Sequence, residues 1–206
     1  MKYALLLALS VIASAESPEE MLVRAREAVP IVERIRERKF KDPVTMKVLT
    51  DEEVRKRFVE GFDEELPVEE AAGFEAAYAR LGLIPADMDL RAFLIELHVT
   101  QVAAFYDEKK RELCLLASMK DDPDAEGEMK WSDMVAVHEL THALQDQFHG
   151  LEAIDKNPLV DKNGDVSHAL GCVVEGEATL VMMARYYEAN GLDLPGPEAL
   201  GTVAAA

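Results

Sequence analysis

The chain of 206 residues carries 22 Lys and Arg against 40 Asp and Glu, a formal net charge of −18 at pH 7. This excess of negative charge disfavours binding to nucleic acids or to anionic lipid, because both require Lys and Arg opposite phosphate groups. The length suits one domain, or two small lobes around one cleft. No stretch of the sequence predicts an oligomeric state.

The first residues have the pattern of a secretory signal peptide. Lys2 precedes an apolar run over 4–12, and the small residues 13–15 follow. The run is too short for a membrane span, which takes about 20 residues. We therefore expect residues 1–15 to be cleaved after Ala15 and the protein to be secreted or periplasmic. No later segment is expected to cross a membrane.

The N-terminal half, residues 16–100, predicts a helical scaffold without a chemical motif. Apolar residues recur at helical spacing near its start, where Pro30 is expected to kink or split the helix. The predicted elements are a helix over 18–39, a strand over 43–49, a helix from a capping box at 50–53 to residue 65, a helix over 67–81, and a helix that begins after Asp87 or Asp89.

Residues 102–106 and 112–116 predict two strands of a hairpin, which residues 107–111 join. The hairpin lies shortly before the most informative motif of the chain. Two interpretations suit it equally: an ordinary hairpin that covers the core, and a sheet edge that binds an extended peptide. Residues 117–130 are acidic and rich in turn-forming residues, which predicts a surface loop.

The motif is His138-Glu-Leu-Thr-His142, inside an apolar helix predicted over 133–148 with Ser132 as its N-cap and Gly150 at its end. Residues four apart lie on the same face of a helix, so both imidazoles can bind one metal ion. Glu139 is then placed to reach a water on that ion. An incidental match is the alternative, but unpaired His and Glu are costly in apolar surroundings.

A third ligand is needed, and a later glutamate supplies the best candidate. The metzincin pattern requires Gly and His where this chain has Gln145 and Phe148. Glu175 has only small side chains three and four positions away on a helix predicted to run from a cap at Asp165 or Ser167 to residue 189. The rival, Glu177, has bulkier neighbours, which favours Glu175.

The connection over 150–166 predicts a loop. It contains Asp161, Asn163 and Asp165, but an EF-hand would next require Gly and Glu where the chain has Val166 and Cys172. A calcium loop is therefore excluded.

The segment over 175–178, Glu-Gly-Glu-Ala, resembles the Glu-Gly-x-Ala segment that supplies the third zinc ligand in gluzincin peptidases. Segments 138–147 and 174–179 together resemble a group of mostly secreted bacterial and archaeal zincin-like proteins, with the likeness strongest over 100–187. The resemblance implies an α+β, mostly helical, zincin-like fold, in which a small β-hairpin or sheet lies over the HExxH helix and a glutamate helix. It also implies that the hairpin is the substrate-binding edge.

The expected organisation after the signal peptide is one zincin-like metallopeptidase domain over 16–206, with its catalytic core at 101–190. Zn²⁺ held by His138, His142 and Glu175 would activate water, and Glu139 would act as general base in peptide hydrolysis. The expected function is a secreted zinc metallopeptidase acting on a peptide or protein substrate. The alternative is a catalytically inactive zincin-like binding module of the cell envelope.

The sequence leaves three further roles open. Asp146 lies four residues beyond His142, which suits either orientation of that imidazole or a solvated last turn. His168 and Tyr186 fall roughly on the Glu175 face, where either an oxyanion donor or a packing residue would fit. Cys114 and Cys172 suit a disulfide or two buried thiols equally.

Overall fold

The computed structural model describes residues 17–119, 130–161, 163–194 and 196. The predicted signal peptide and most of the predicted acidic loop lie outside the described residues. The elements in chain order are α1 (Pro18–Ile35), β1 (Thr45–Leu49), α2 (Asp51–Glu65), α3 (Val68–Arg80), α4 (Leu90–Gln101), β2 (Ala104–Asp107), β3 (Glu112–Leu116), α5 (Trp131–His149), α6 (Leu151–Asp155), α7 (Pro158–Asp161) and α8 (Gly164–Ala189). The fold is therefore α+β and mostly helical, as predicted.

Several helix ends follow from local chemistry that the sequence displays. The predicted capping box of α2 is present: the Thr50 hydroxyl accepts from the Glu53 N–H, and the Glu53 carboxylate accepts from the Thr50 N–H. Asp89, one of the two predicted caps, starts α4 by accepting from the N–H of Ala92. Gly150 ends α5 with φ of 69°, in the left-handed region that favours glycine.

Other boundaries differ from the prediction. Helix α1 continues through Pro30 and ends at Ile35, because Glu37 adopts a positive φ of 49° just after it. Helix α5 begins at Trp131, so Ser132 is not its N-cap; the Ser132 hydroxyl instead accepts a 2.7 Å hydrogen bond from Arg24. Asn163 caps α8 in place of Ser167 or Asp165.

The connection predicted as a loop over 150–166 contains the two short helices α6 and α7. Each has five residues or fewer, which is too short to show helical periodicity in the sequence. Helix α6 brings Leu151 and Ile154 to the side of the cleft described below.

The three strands form one sheet in the order β1-β3-β2. Strand β3 pairs antiparallel with β2 through the predicted hairpin and parallel with β1. Alternate residues of β3 enter two different clusters: Leu113 and Leu115 pack towards α5, whereas Cys114 and Leu116 pack with Val54 of α2. Both faces of the central strand are thus buried, and β2 lies at an edge of the described sheet.

Helix α5 is the centre of the core. It packs against α1, α8 and the strands β2 and β3. Its buried apolar side chains surround the helix: Val135, Ala136, Val137, Leu140, Ala143 and Leu144. Polar groups on this helix therefore lie in the interior, where they need hydrogen-bond partners or a metal.

Helix α8 combines an apolar composition with high exposure. By length and composition it is apolar enough to cross a membrane, which the sequence analysis did not expect of any segment after the signal peptide. Only 11% of its most apolar window is buried inside the protein. Core helices of soluble proteins pass the same test, so this feature is weak evidence for a membrane span.

Candidate metal centre

Helix α5 places the two motif histidines one above the other, as their spacing requires. The Nε2 atoms of His138 and His142 lie 3.1 Å apart, and the two rings meet edge to face with their centroids 4.7 Å apart. His142 is only 8% exposed, whereas His138 faces the cleft and is partly buried. Burial, and secondarily the neighbouring His142, lower the pKa of His138, which favours the neutral imidazole that a metal requires.

Helix α8 brings Glu175 to these imidazoles. Its Oε2 lies 3.1 Å from Nε2 of His138, and its Oε1 lies 3.5 Å from Nε2 of His142. The side chain of Glu175 is 64% exposed, so the carboxylate reaches the histidines from the solvent side of the site. All three ligand atoms lie within 4.8 Å of one another.

These distances suit a tetrahedral ion. Bonds of about 2.0–2.1 Å to nitrogen and oxygen place neighbouring ligand atoms about 3.3–3.4 Å apart in a tetrahedron. The two imidazole nitrogens lie 3.1 Å apart, and each lies within 3.5 Å of one of the two Glu175 oxygens, so the three side chains are close enough to share one ion. Two imidazoles and one carboxylate are the protein ligands of many catalytic zinc sites, in which water takes the fourth position.

Glu177, the rival candidate, lies outside this group of donors. Its carboxylate accepts a 2.7 Å hydrogen bond from Gln145 and forms an ion pair with Arg36. Glu175 was favoured because its helical neighbours are small, and the structure supports only half of that reasoning. Ala178 is fully buried, but a Cβ on Gly171 would meet nothing within 4 Å, so glycine is not required there.

Gln145 determines the orientation of His142, a role that the sequence analysis missed. The amide nitrogen of Gln145 donates to the Val174 carbonyl at 3.0 Å and to Glu177 at 2.7 Å. Its amide oxygen therefore faces Nδ1 of His142 at 2.9 Å. An amide oxygen can only accept, so Nδ1 of His142 carries the proton and Nε2 presents a lone pair to the site.

The predicted alternative for that role, Asp146, does not contact a ligand histidine. Its buried carboxylate accepts from the Tyr106 hydroxyl at 2.9 Å, from Arg111 Nε at 3.0 Å and from the Leu151 N–H at 2.9 Å. It is not a solvated last turn either, because Asp146 is 6% exposed. The signal for Gln145 was its position three residues after His142, on the same helical face.

Glu139 lies beside the ligand atoms and faces the same cleft. Its Oε2 accepts a 2.8 Å hydrogen bond from the backbone N–H of Tyr106 on strand β2. Burial, with a smaller contribution from the charge of Glu175, raises the pKa of Glu139 to about 8. The Tyr106 N–H opposes this rise, and a cation beside the carboxylate would lower the pKa further.

The cleft around these side chains has a volume of about 430 Å³. Beyond the metal cluster, its lining is mainly apolar and comes from β2, α6 and α8: Phe105, Tyr106, Leu151, Ile154, Leu170, Gly171 and Val174, with the polar residues Glu108 and Ser167. Neither proposed oxyanion donor lines it. His168 is exposed and contacts Cys172, and Tyr186 packs against the core.

The two cysteines are free thiols in different surroundings. Cys114 is buried in β3, where Arg57 Nη1 lies 3.3 Å from its sulfur, and burial raises its pKa to about 11. Cys172 is exposed on α8. The disulfide alternative is therefore wrong for this structure, and the buried-thiol alternative holds for Cys114 alone.

In comparisons with family models, curated proteins and solved structures, the chain matches none. The interpretation of the site therefore depends on the geometry of its own residues.

Proposed function

We propose that the protein is a zinc-dependent peptidase that hydrolyses peptide bonds, with His138, His142 and Glu175 as metal ligands and Glu139 as general base. The observation that supports this most is the convergence of three ligand atoms within 4.8 Å, with Glu139 beside them in one cleft. A zincin-like fold and export by the segment 1–15 belong to the same proposal.

The electrostatics of the site favour a bound cation. In the described part of the chain, no Lys or Arg lies within ion-pair distance of Glu139 or Glu175, and the charge of Glu175 contributes to the raised pKa of Glu139. His142 turns a lone pair towards them. A divalent cation would offset the negative charges of Glu139 and Glu175, and it would accept the lone pair of His142.

Zinc suits a donor set of two imidazoles and one carboxylate. When bound, it supplies Lewis acidity, which polarises a peptide carbonyl and makes water a stronger nucleophile near neutral pH.

Glu139 is placed to move the protons. Its carboxylate can accept a proton from water as the water attacks the carbonyl carbon and pass that proton to the leaving amine nitrogen. It lies one residue after His138 on α5, so the general base and the ligands share one rigid helix. The backbone N–H of Tyr106 holds one of its oxygens at 2.8 Å and leaves the other for the cleft.

The edge strand β2 offers a place for an extended substrate. Residues 103, 105 and 107 face β3 in the antiparallel register, so the backbone groups of Ala104 and the carbonyl of Tyr106 point to the open edge, where the Tyr106 N–H binds Glu139. A peptide paired there would bind irrespective of most of its sequence, beside the apolar lining of the cleft. This supports a peptide or protein substrate.

The test combines metal analysis with cleavage of casein or a peptide library, for the wild type beside Glu139→Gln. Glutamine keeps the size and hydrogen bonding of Glu139 but cannot accept the proton. We expect about one zinc per chain in both proteins and a rate lower by roughly 10²–10⁴-fold in the variant, the contribution of a general base. Glu152→Gln on α6, an exposed glutamate paired with Lys156, is the matched control and should cleave normally.

The outcomes separate the alternatives. A wild type without bound zinc would overturn the metal centre. Zinc without cleavage in the wild type would support the binding module of the cell envelope. Equal rates in the wild type and Glu139→Gln would remove Glu139 from the reaction.

A further inference from the structure

One residue of the edge strand contacts two carboxylates of α5. Tyr106 donates its backbone N–H to Glu139 at 2.8 Å and its phenol O–H to Asp146 at 2.9 Å. Glu139 and Asp146 are seven residues apart, which is two helical turns and about 10.5 Å along the axis. They therefore lie on the same face of α5, and Tyr106 spans the distance between them.

The side chain of Asp146 is held in one position by its hydrogen bonds. Its carboxylate accepts three hydrogen bonds, from the phenol of Tyr106, from Nε of Arg111 and from the N–H of Leu151 at the start of α6. Moving this buried carboxylate would leave its charge without hydrogen-bond partners, which is costly. We call Asp146 and its bonds to Tyr106 and Arg111 the anchor.

Arg111 adds a second connection between the hairpin and this anchor. It closes the β2–β3 turn with φ of 54°, a left-handed conformation that costs a non-glycine residue energy unless its surroundings hold it. Its bond to Asp146 is such a restraint. The hairpin is thus held to α5 at the phenol of Tyr106 and at the guanidinium of Arg111.

We propose that Asp146 is a positioning residue, which acts through Tyr106 to fix the backbone N–H that holds Glu139 in the cleft. The inference rests on the proposed function for its effect on catalysis. Its structural part, the dependence of the Tyr106–Glu139 hydrogen bond on Asp146, can be measured without substrate or metal.

The first measurement is amide hydrogen exchange at residue 106 in the full chain. That N–H faces the open edge of the sheet, so Glu139 is the acceptor that protects it. Tyr106→Phe and Asp146→Asn both keep this N–H but disrupt the anchor. We expect exchange at position 106 to rise about tenfold or more in both, towards the rate in Glu139→Ala, while the amides of Leu113 and Leu115 stay protected.

Tyr78→Phe is the matched control, since it removes a phenol oxygen from the partly exposed face of α3. It should leave exchange at position 106 unchanged. Unchanged exchange in Tyr106→Phe and Asp146→Asn would overturn the proposal, as would equal loss of protection at Leu113 and Leu115, which would mark a general structural role.

The second measurement is peptide cleavage. We expect kcat to fall about tenfold in Tyr106→Phe and in Asp146→Asn with little change in KM, and the double variant to be no slower than either. In the Glu139→Gln background the same changes should have no further effect, because the group being positioned is already gone. Additive losses in either combination would contradict positioning. If the wild type does not cleave peptides but exchange at 106 responds as expected, the peptidase proposal fails and the anchor stands.

Discussion

The sheet separates two clusters of polar side chains. On the α5 side lies the metal cluster, which comprises His138, Glu139, His142 and Glu175. On the α2 side lies the arginine cluster, in which Arg57 binds Asp107 and Glu112, each at 2.8 Å, and approaches Cys114 at 3.3 Å, while Lys47 binds Glu112 at 2.6 Å. Each cluster holds partly buried carboxylates: Glu139 in the metal cluster, and Asp107 and Glu112 in the arginine cluster.

The two clusters differ in how their charges are balanced. Arg57 and Lys47 offset Asp107 and Glu112 within the arginine cluster, so it is complete without any ligand. The metal cluster instead brings two imidazole nitrogens and the Glu175 carboxylate together, with no Lys or Arg among its described members. Carboxylates with cationic partners indicate structural stabilisation, whereas possible metal ligands that converge in a cleft without such a partner indicate a site for a cation.

The largest effect should come from zinc itself. At a free concentration of about 1,000 Kd, zinc should raise the free energy of unfolding by about 4 kcal/mol, because it binds the native site. The gain should vanish in His142→Ala, which removes a ligand, and persist in Glu112→Gln, which alters only the arginine cluster. Urea unfolding with EDTA or with buffered zinc measures both. An equal gain in His142→Ala would place the stabilising ion elsewhere.

The contrast between the clusters also explains what could be predicted from sequence. The pair His138 and His142 depends only on helical spacing, and the helix was evident from its apolar residues and Gly150. Glu175 required a long-range assumption, that the small face of a later helix approaches α5, and the geometry places it with the histidines. Most of the helices followed from capping residues and periodicity, whereas the α+β class was implied by the resemblance.

The missed features depend on tertiary contacts that no local pattern encodes. Gln145 orients His142 only because α8 presents the Val174 carbonyl and Glu177 as acceptors for its amide. Asp146 was assigned by helical spacing to a histidine, but the hairpin supplies it with closer partners. The arginine cluster joins residues about 50 positions apart, so it gave no signal at all.

The second prediction is a smaller change in the free energy of unfolding, caused by removing Arg57 from the arginine cluster. Arg57→Met keeps an apolar stem of similar length but removes the guanidinium that pairs with Asp107 and Glu112, so that Lys47 alone still binds Glu112. Breaking a buried ion pair in this way costs about 3–5 kcal/mol, so we expect the free energy of unfolding to fall by about 3 kcal/mol. The zinc affinity should remain that of the wild type, because the sheet lies between the clusters.

The control for this prediction is Arg55→Met, because Arg55 lies two residues earlier on α2 and pairs with the exposed Glu96. An exposed ion pair contributes about 0–1 kcal/mol, so this variant should unfold close to the wild-type urea concentration. A large loss of zinc affinity in Arg57→Met would show that the two clusters are coupled and would contradict their separation by the sheet.

The smallest effect should be a loss of zinc affinity on removing Gln145, which contacts the ligand His142 but supplies no ligand atom itself. In Gln145→Ala, Nδ1 of His142 loses its acceptor, and the imidazole can adopt the other tautomer or rotate, so that Nε2 no longer presents its lone pair reliably. Partners of this kind contribute about 10–100-fold to metal affinity, and we expect a loss of that size in competition with a chromophoric zinc chelator. Gln147→Ala is the control, because Gln147 binds the backbone of Lys41 and Asp42 and should leave the zinc affinity unchanged. If Gln145→Ala lowers only the stability of the metal-free protein and keeps its zinc affinity, then the contact between Gln145 and His142 belongs to packing, and the metal cluster is orientated by the helices alone.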